Sequence, residues 1–175
     1  MLRTAREDDL TSMLEWRNQT TNREVSNHQG VITPEEHARW WSAVRDDPER
    51  EVLVLEIDNS PCGVVAFFNV RSDGVRRRGS WGFYLDHDGL AENGAALVAW
   101  QVVMREALAH AFGALGLDVL EAEVLEHNAA VRSTNRRFGF VEGEVERREV
   151  DGSPRSVVPV VLTAEDHAAR TARRS

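Results

Sequence analysis

Three groups of residues in this sequence have types and spacings that could do chemistry. The first is the Asn93-Gly94 turn, which follows the run WGFYLD and opens a long apolar-periodic segment. A strand feeding a tight glycine turn into a helix leaves free backbone N–H groups at the positive end of the helix dipole, where a phosphate can sit. The candidates are the N–H groups of Glu92, Asn93, Gly94, Ala95, Ala96 and Leu97, while the carboxylates Asp86, Asp88 and Glu92 would repel a diphosphate at close range. The plain alternative is an ordinary strand-to-helix turn. The second group is Asn128 and Asn135, two helical turns apart and close to one face with Val131 and Phe138. An asparagine amide among apolar neighbours needs a partner, backbone or ligand, and a helix cap is the alternative for Asn128. The third group is Trp16, Arg17, Asn18, Trp40 and Trp41. Aromatic faces suit stacking on a sugar or nucleobase, and a guanidinium suits a nucleotide diphosphate, although tryptophans of this kind also pack helices onto sheets.

Other chemistries lack their residues. Six histidines are scattered without ligand spacing and the single cysteine, Cys62, cannot build a structural zinc site, so no metal is expected. Cys62 follows Pro61 at a turn with no basic activator nearby in sequence, which argues against a covalent acyl-enzyme. Arg76, Arg77 and Arg78 read as a solvated hairpin tip rather than a phosphate clamp.

The elements that must position these residues follow from periodicity. LRTA reads as a short strand, and Asp8 or Asp9 can start a helix carrying Leu10, Met13, Leu14 and Trp16 that frays after Asn18. QTTNREVSNHQGV has no period and is irregular or a short second helix, of the kind that shapes a substrate mouth. Thr33, Pro34 and Glu36 form a capping box that starts a helix over ITPEEHARWWSAV. Residues 51 to 57 and 62 to 70 are strands joined by a hairpin at Asp58-Asn59-Ser60-Pro61, and SDGVRRRG turns into the strand WGFYLD. Leu97, Trp100, Met104, Leu108 and Ala111 recur at helical spacing and predict one buried face. DVLEAEVLE alternates as a strand, with Leu120, Ala122 and Val124 on one side. A helix from about Asn128 stops at Gly139-Phe140; then VEGEVERREV and RSVVPVVLT close an antiparallel pair through an Asp151-Gly152 turn. Pro159 predicts an edge strand or a bulge. The tail from about 164 to 175 is helix-prone and solvated.

A chain of 175 residues suffices for one domain with a sizeable core. Its formal charge of −8 disfavours nucleic acid and anionic membranes as partners and fits cationic or neutral substrates. One cysteine allows no internal disulfide. No apolar run reaches membrane-spanning length and the start MLRTARED is too polar for a signal peptide, so a cytoplasmic protein is expected.

The run WGFYLD, the loop with Gly94 and Ala96, the long helix ending HAFGALGLDVLEAEVLEHN, and RRFGFVEGEVERR together resemble the acetyl-coenzyme-A core of the GNAT N-acetyltransferase superfamily. The likeness is to the subgroup of ribosomal-protein-alanine acetyltransferases and amino-sugar N-acetyltransferases of the pseudaminic-acid pathway, with LEWRNQTTNREV and ITPEEHARWW pointing to the sugar branch. The resemblance implies a single α/β (α+β) domain over 1–175, with a mixed, mostly antiparallel sheet splayed at its middle and helices on both faces. It implies acetyl-CoA as co-substrate and a small-molecule amine as acceptor. Family members often dimerise, and no sequence feature decides that here. By the same resemblance the main-chain groups of Phe83, Tyr84 and Leu85 bind the pantetheine arm as an added strand would, and the Asn128 amide contacts the coenzyme. Two positions depart from the pattern: Ala91 stands where the loop usually has Arg or Gln, and Asn135 stands where many members have a tyrosine that protonates the leaving sulfur. A thiol of pKa about 8.5 needs little such help.

An amine must be neutral to attack a thioester. Freeing a lysine-like amine at pH 7 costs roughly 4 to 5 kcal/mol, against about 1 to 2 for an amine of pKa near 8. WGFYL carries no carboxylate base, so an amine of lowered pKa is expected, on an amino sugar, a nucleotide-linked amino sugar or a peptide amino terminus. Candidate bases are Glu126, His127 and His28, and candidate acceptor contacts are Trp16, Arg17, Asn18, His28 and Trp41. The competing reading is a GNAT-shaped module that holds acyl-coenzyme A and catalyses nothing, supported by Ala91 and Asn135.

Overall fold

The run EVLVLEI sets the layering of the molecule. Leu53 and Leu55 face one hydrophobic core and Val52 and Val54 another, because successive strand side chains point to opposite faces of a sheet.

The computed structural model describes residues 1–150 and 153–173. Its first elements are β1 (Leu2–Thr4), α1 (Leu10–Asn18), α2 (Thr20–Glu24), α3 (Pro34–Val44), β2 (Glu51–Ile57), β3 (Ser60–Ser72), β4 (Arg77–Leu85) and α4 (His87–Glu92). They continue with α5 (Ala96–Ala109), a π turn over His110–Ala114, β5 (Val119–Leu125), α6 (Ala129–Phe138), β6 (Val141–Glu142), β7 (Glu146–Val150), β8 (Ser153–Thr163) and α7 (Ala164–Ala172). The strands form one mixed, mostly antiparallel sheet in the order β1-β2-β3-β4-β5-β8-β6, with β7 also paired to β8. α5 covers one face through Ala99, Val103, Met104, Ala107 and Leu108. α1 and α3 cover the other through Met13, Trp16, Trp41 and Val44. This is the α/β architecture with helices on both faces that the sequence implies. No helix among the described residues is long and apolar enough to cross a membrane.

Local chemistry explains the joints. Thr33 Oγ1 accepts the Glu36 N–H at 3.2 Å and Glu36 Oε2 accepts the Thr33 N–H at 2.8 Å, the reciprocal box that starts α3. Asp58 and Asn59 both have positive φ (52° and 63°), as a two-residue hairpin turn requires. Asp73 Oδ1 accepts the N–H groups of Val75 and Arg76 and closes the β3–β4 turn. Gly139, at φ 101°, ends α6 in the left-handed conformation.

One expectation needs correction. Leu97 is 84% exposed. The buried stripe of α5 runs instead through Ala99, Val103 and Ala107 to Ala111, and Leu97, two residues before Ala99, falls on the opposite side of the helix. Of the two readings of Pro159 the bulge holds: β8 is not an edge, since β5 lies on one side of it and β6 and β7 on the other. Pro159, which has no N–H to donate, is accommodated by a bulge. Glu142 faces Val160 and Glu146 faces Val157, so the β6–β7 segment carries one residue more than β8 at this point. The tail is helical with no buried residue, as expected, and two contacts hold it: Arg170 Nη2 donates to the Arg137 carbonyl at 2.7 Å and His167 stacks on Phe112. The Asp151-Gly152 turn lies outside the described residues.

Candidate active site

β4 and β5 run side by side only briefly. Arg78, Gly79 and Ser80 pair in parallel with Val119, Leu120 and Glu121. Beyond them β4 stays on β3 and β5 stays on β8, so the two strands part. The ladder shows which main-chain groups the gap receives. The Asp86 N–H bonds the Cys62 carbonyl while Leu85 stands opposite Gly63. Leu85 and Phe83 therefore belong to non-hydrogen-bonded pairs and turn their N–H and C=O groups away from β3. Arg77, of the same parity, agrees: its carbonyl accepts the Asp118 N–H on the β5 side. Tyr84 is opposite Val64 in a hydrogen-bonded pair and spends its main-chain groups on β3. The trio Phe83, Tyr84 and Leu85 is thus corrected to Phe83 and Leu85, as a period of two dictates.

A cavity of about 130 Å³ occupies the gap. Trp81, Phe83 and Trp100 give it an aromatic wall, with Trp81 and Phe83 stacked and Trp100 edge-on to Phe83. The Trp81 indole N–H is buried without a partner. From α6 come Asn128, Val131 and Asn135. Asn128 is the N-cap, its Oδ1 accepting the Val131 N–H at 3.2 Å. The cap uses the oxygen and leaves the NH₂ for a ligand, so the structural and functional readings of Asn128 hold together. Asn135 is 3% exposed, and its side-chain amide has no hydrogen-bond partner among the described residues.

Two further residues line the cavity that the sequence reading missed. Asn22 of α2, also 3% exposed, donates from Nδ2 to the carbonyls of Trp16 (2.7 Å) and Leu85 (2.8 Å). It occupies one of the main-chain groups that the strand parting releases. These two donations fix the amide orientation, so Oδ1 is the acceptor at 3.1 Å from His87 Nε2, and that nitrogen carries the proton. Burial pushes the His87 imidazole below its ordinary value. Gln19 completes the latch: it donates to Asp86 at 2.7 Å and accepts the His87 N–H at 2.8 Å. The segment around α2 looked aperiodic because its polar side chains serve β4 rather than a helix face.

The turn before α5 is narrower in donors than its length suggests. The N–H groups of Asn93, Gly94 and Ala95 bond the carbonyls of Gly89, Ala91 and Leu90. Those of Ala96, Leu97 and Val98 open the helix with no intrahelical acceptor. Gly94, at φ 64°, makes the turn. Asp86 is drawn inward as the α4 cap, accepting the Gly89 N–H. From this helix start a groove of about 850 Å³ runs between α5 and α6, with Leu97 at its head and Arg105 and Arg137 along it. Trp100 lines both groove and cavity.

The proposed bases are not brought to the gap. Glu126 and His127 are exposed on the turn before α6 and do not line the cavity. Glu123, which does, is exposed and ion-paired with Arg148. On the α1–α3 face, Trp16 and Trp41 are core residues. Asn18 is a staple, donating to the Ile32 carbonyl at 2.8 Å and accepting the Ile32 N–H at 2.9 Å. Arg17, His28, Trp40 and Tyr84 line a second cavity of about 350 Å³, with the buried His37. Tyr84 is common to both cavities.

A family model described as an acetyltransferase (GNAT) domain matches residues 1–141. No curated protein matches the sequence at a significant level. Among solved structures, the chain is similar to spermidine N-acetyltransferase from Vibrio cholerae in complex with CoA and spermine: TM-score 0.77, 16% identity, 96% of this chain and 97% of that one. It is also similar to Campylobacter jejuni N-acetyltransferase PseH in complex with acetyl coenzyme A: TM-score 0.65, 16% identity, 94% of this chain and 99% of that one. At these identities the likeness is one of fold.

Proposed function

Because the chain belongs to the GNAT acetyltransferase family, we propose that it transfers acetyl from acetyl-coenzyme A directly to a primary amine of a small molecule, an amino sugar or a nucleotide-linked amino sugar. The observation that carries this reading is the edge of β4 that β5 leaves open at Phe83 and at the Leu85 N–H, facing a cavity lined by Asn135, whose amide has no partner among the described residues. An extended arm carrying amide groups would pair with that edge as an added strand does. Its phosphates would meet the N–H groups of Ala96, Leu97 and Val98, and Arg105 and Arg137 supply in the groove the cationic charge that Ala91 does not supply in the loop.

The coenzyme supplies the acyl group as a thioester. The chain's part is to hold it and to donate where charge gathers. N–H groups on the free edge polarise the carbonyl, and the Asn135 amide, which lines the cavity, is assigned here as the donor to the departing sulfur. Bond making is between the amine nitrogen and the acyl carbon, bond breaking between that carbon and sulfur, and the amine proton leaves to water. The cavity offers no unpaired carboxylate among the described residues, which suits an acceptor whose amine is already partly neutral near pH 7.

The acceptor approaches from the α1–α3 face. Gly82 has no heavy atom within 4 Å of where a Cβ would stand, and by strand alternation that space is on the Tyr84 side. The second cavity, with Trp40 for a ring to stack on, opens beside it. Thiol release from acetyl-coenzyme A with a panel of amino sugars, nucleotide-linked amino sugars, polyamines and peptide amino termini tests the reading. Turnover strongest with an amino sugar supports it. Binding of the coenzyme with no turnover on any amine favours the non-catalytic module, and strongest turnover with peptides moves the acceptor class.

A further inference from the structure

Resting on the transferase reading, we propose that the cavity beside Tyr84 is an anion-binding acceptor pocket: the amine substrate carries a phosphate or carboxylate of its own, held by Arg17 and His37. Two residues that line this one space each carry an unpartnered polar atom. Arg17 Nη1 is buried with no hydrogen-bond partner, and so is His37 Nε2 on a residue 6% exposed. Buried polar atoms of this kind are rare in a native fold and call for an explanation.

Arg17 is the more telling of the two. Its Nη2 donates to the His28 carbonyl at 2.9 Å, which fixes the guanidinium in place, and among the described residues no carboxylate pairs with it. Burial lowers its proton affinity, with the nearby Arg23 charge acting in the same direction. A half-buried, immobilised guanidinium with one enclosed, unpartnered nitrogen and no carboxylate beside it is suited to an incoming anion. His37 sits on α3 with its ring stacked on Trp40 at 5.1 Å, and burial keeps it neutral. With Nε2 carrying the ring proton, it is a second donor to the same anion.

Glu36, also on the wall, stays ionised, because the Thr33 N–H bonded to its Oε2 holds the carboxyl below its ordinary value, so an anion in the pocket is held against that charge by Arg17 and His37. The volume of about 350 Å³ lies in the small-ligand range, roughly 300 to 1,000 Å³. The Trp40 face suits the body of a sugar or other ring. Tyr84 lines both this pocket and the cavity between the strands, so an acceptor anchored here by its anion lies next to the open side of Gly82.

The test compares amines that differ only in the anion: glucosamine 6-phosphate with glucosamine for phosphate, phenylalanine with phenylalaninamide for carboxylate, and spermidine as the polycation. For the wild type, kcat/KM from thiol release should favour the anionic member of at least one pair by roughly 10- to 100-fold. The pair that shows it identifies which anion the pocket takes. Arg17→Met should erase the preference through KM with kcat little changed, Arg17→Lys should keep part of it, and His37→Phe should weaken it if the first variant folds poorly. Equal use of both members of each pair, preference for spermidine, or equal losses for both members in Arg17→Met would overturn the proposal. Titration of the same pairs into the coenzyme-A-loaded protein, followed by tryptophan fluorescence, decides without turnover. Selective binding of the anionic member that Arg17→Met abolishes supports the pocket even if acetyl transfer fails. Indifferent binding overturns it even if transfer occurs.

Discussion

Asn135→Leu separates a functional amide from a structural one. Asn135 is among the least exposed polar residues of the described chain, yet its side chain makes no hydrogen bond there and faces the cavity. Replacing it with leucine, of similar length, removes no protein–protein hydrogen bond and adds apolar surface beside Val131 and Trp100. The stability change should therefore stay within about 1 kcal/mol, or roughly 2 to 4 °C in Tm for a chain of this size. Activity should respond differently. If the amide donates to a sulfur that gains negative charge as the thioester breaks, its loss removes a hydrogen bond to a developing charge, about 1.5 to 3 kcal/mol. That is a fall in kcat of roughly 10- to 150-fold. Thermal unfolding of the free protein and thiol release at saturating acetyl-coenzyme A are the two readouts. A drop in Tm of 10 °C or so with kcat unaltered would refute the reasoning, because the amide would then have been holding α6 rather than the substrate.

Asn22→Leu has the opposite profile: it strands the Trp16 and Leu85 carbonyls and the His87 N–H, so chemical denaturation should show a loss of about 2 to 4 kcal/mol, and an unchanged midpoint would contradict the latch. Gly82→Val enters open space, so Tm should hold while amine turnover falls at least tenfold; coenzyme affinity, measured by calorimetry, should be unaffected, and full activity would show that the acceptor does not pass there. Burial holds His37, His87 and His167 below the ordinary histidine value. The unfolded chain therefore binds more protons, and stability present above an unfolded pKa of about 6.5 is lost as the pH falls below it. Urea midpoints at pH 7.5 and 5.5 should differ in that direction, less so for His167→Gln; equal midpoints would count against it.

How far the sequence carried depends on the kind of signal. The capping box at Thr33 and the hairpin after Ile57 are local, and local rules placed the box to the residue and the turn to within two, since Ser60 and Pro61 already belong to β3. The gap between β4 and β5 was expected from resemblance, but the parity that frees Phe83 and Leu85 and not Tyr84 depends on pairing with β3, a long-range fact. Asn22 went unread for the same reason: its partners are at Trp16 and Leu85, and no spacing within QTTNREV points to them. Glu126 and His127 were chosen for their chemistry and their place at a strand end, but a turn there points outward. His37 lay in plain sight within a well-predicted helix; a histidine one turn after the cap on the buried side was the available cue, and its unpartnered nitrogen becomes visible only with the pocket.

Amide hydrogen exchange with and without coenzyme A tests the central claim most directly. Bound in the parted strands, the coenzyme should slow exchange at Phe83 and Leu85 and at Ala96, Leu97 and Val98, leaving Tyr84, already bonded to β3, unaltered. Exchange at those five amides that stays the same at saturating coenzyme would contradict the account.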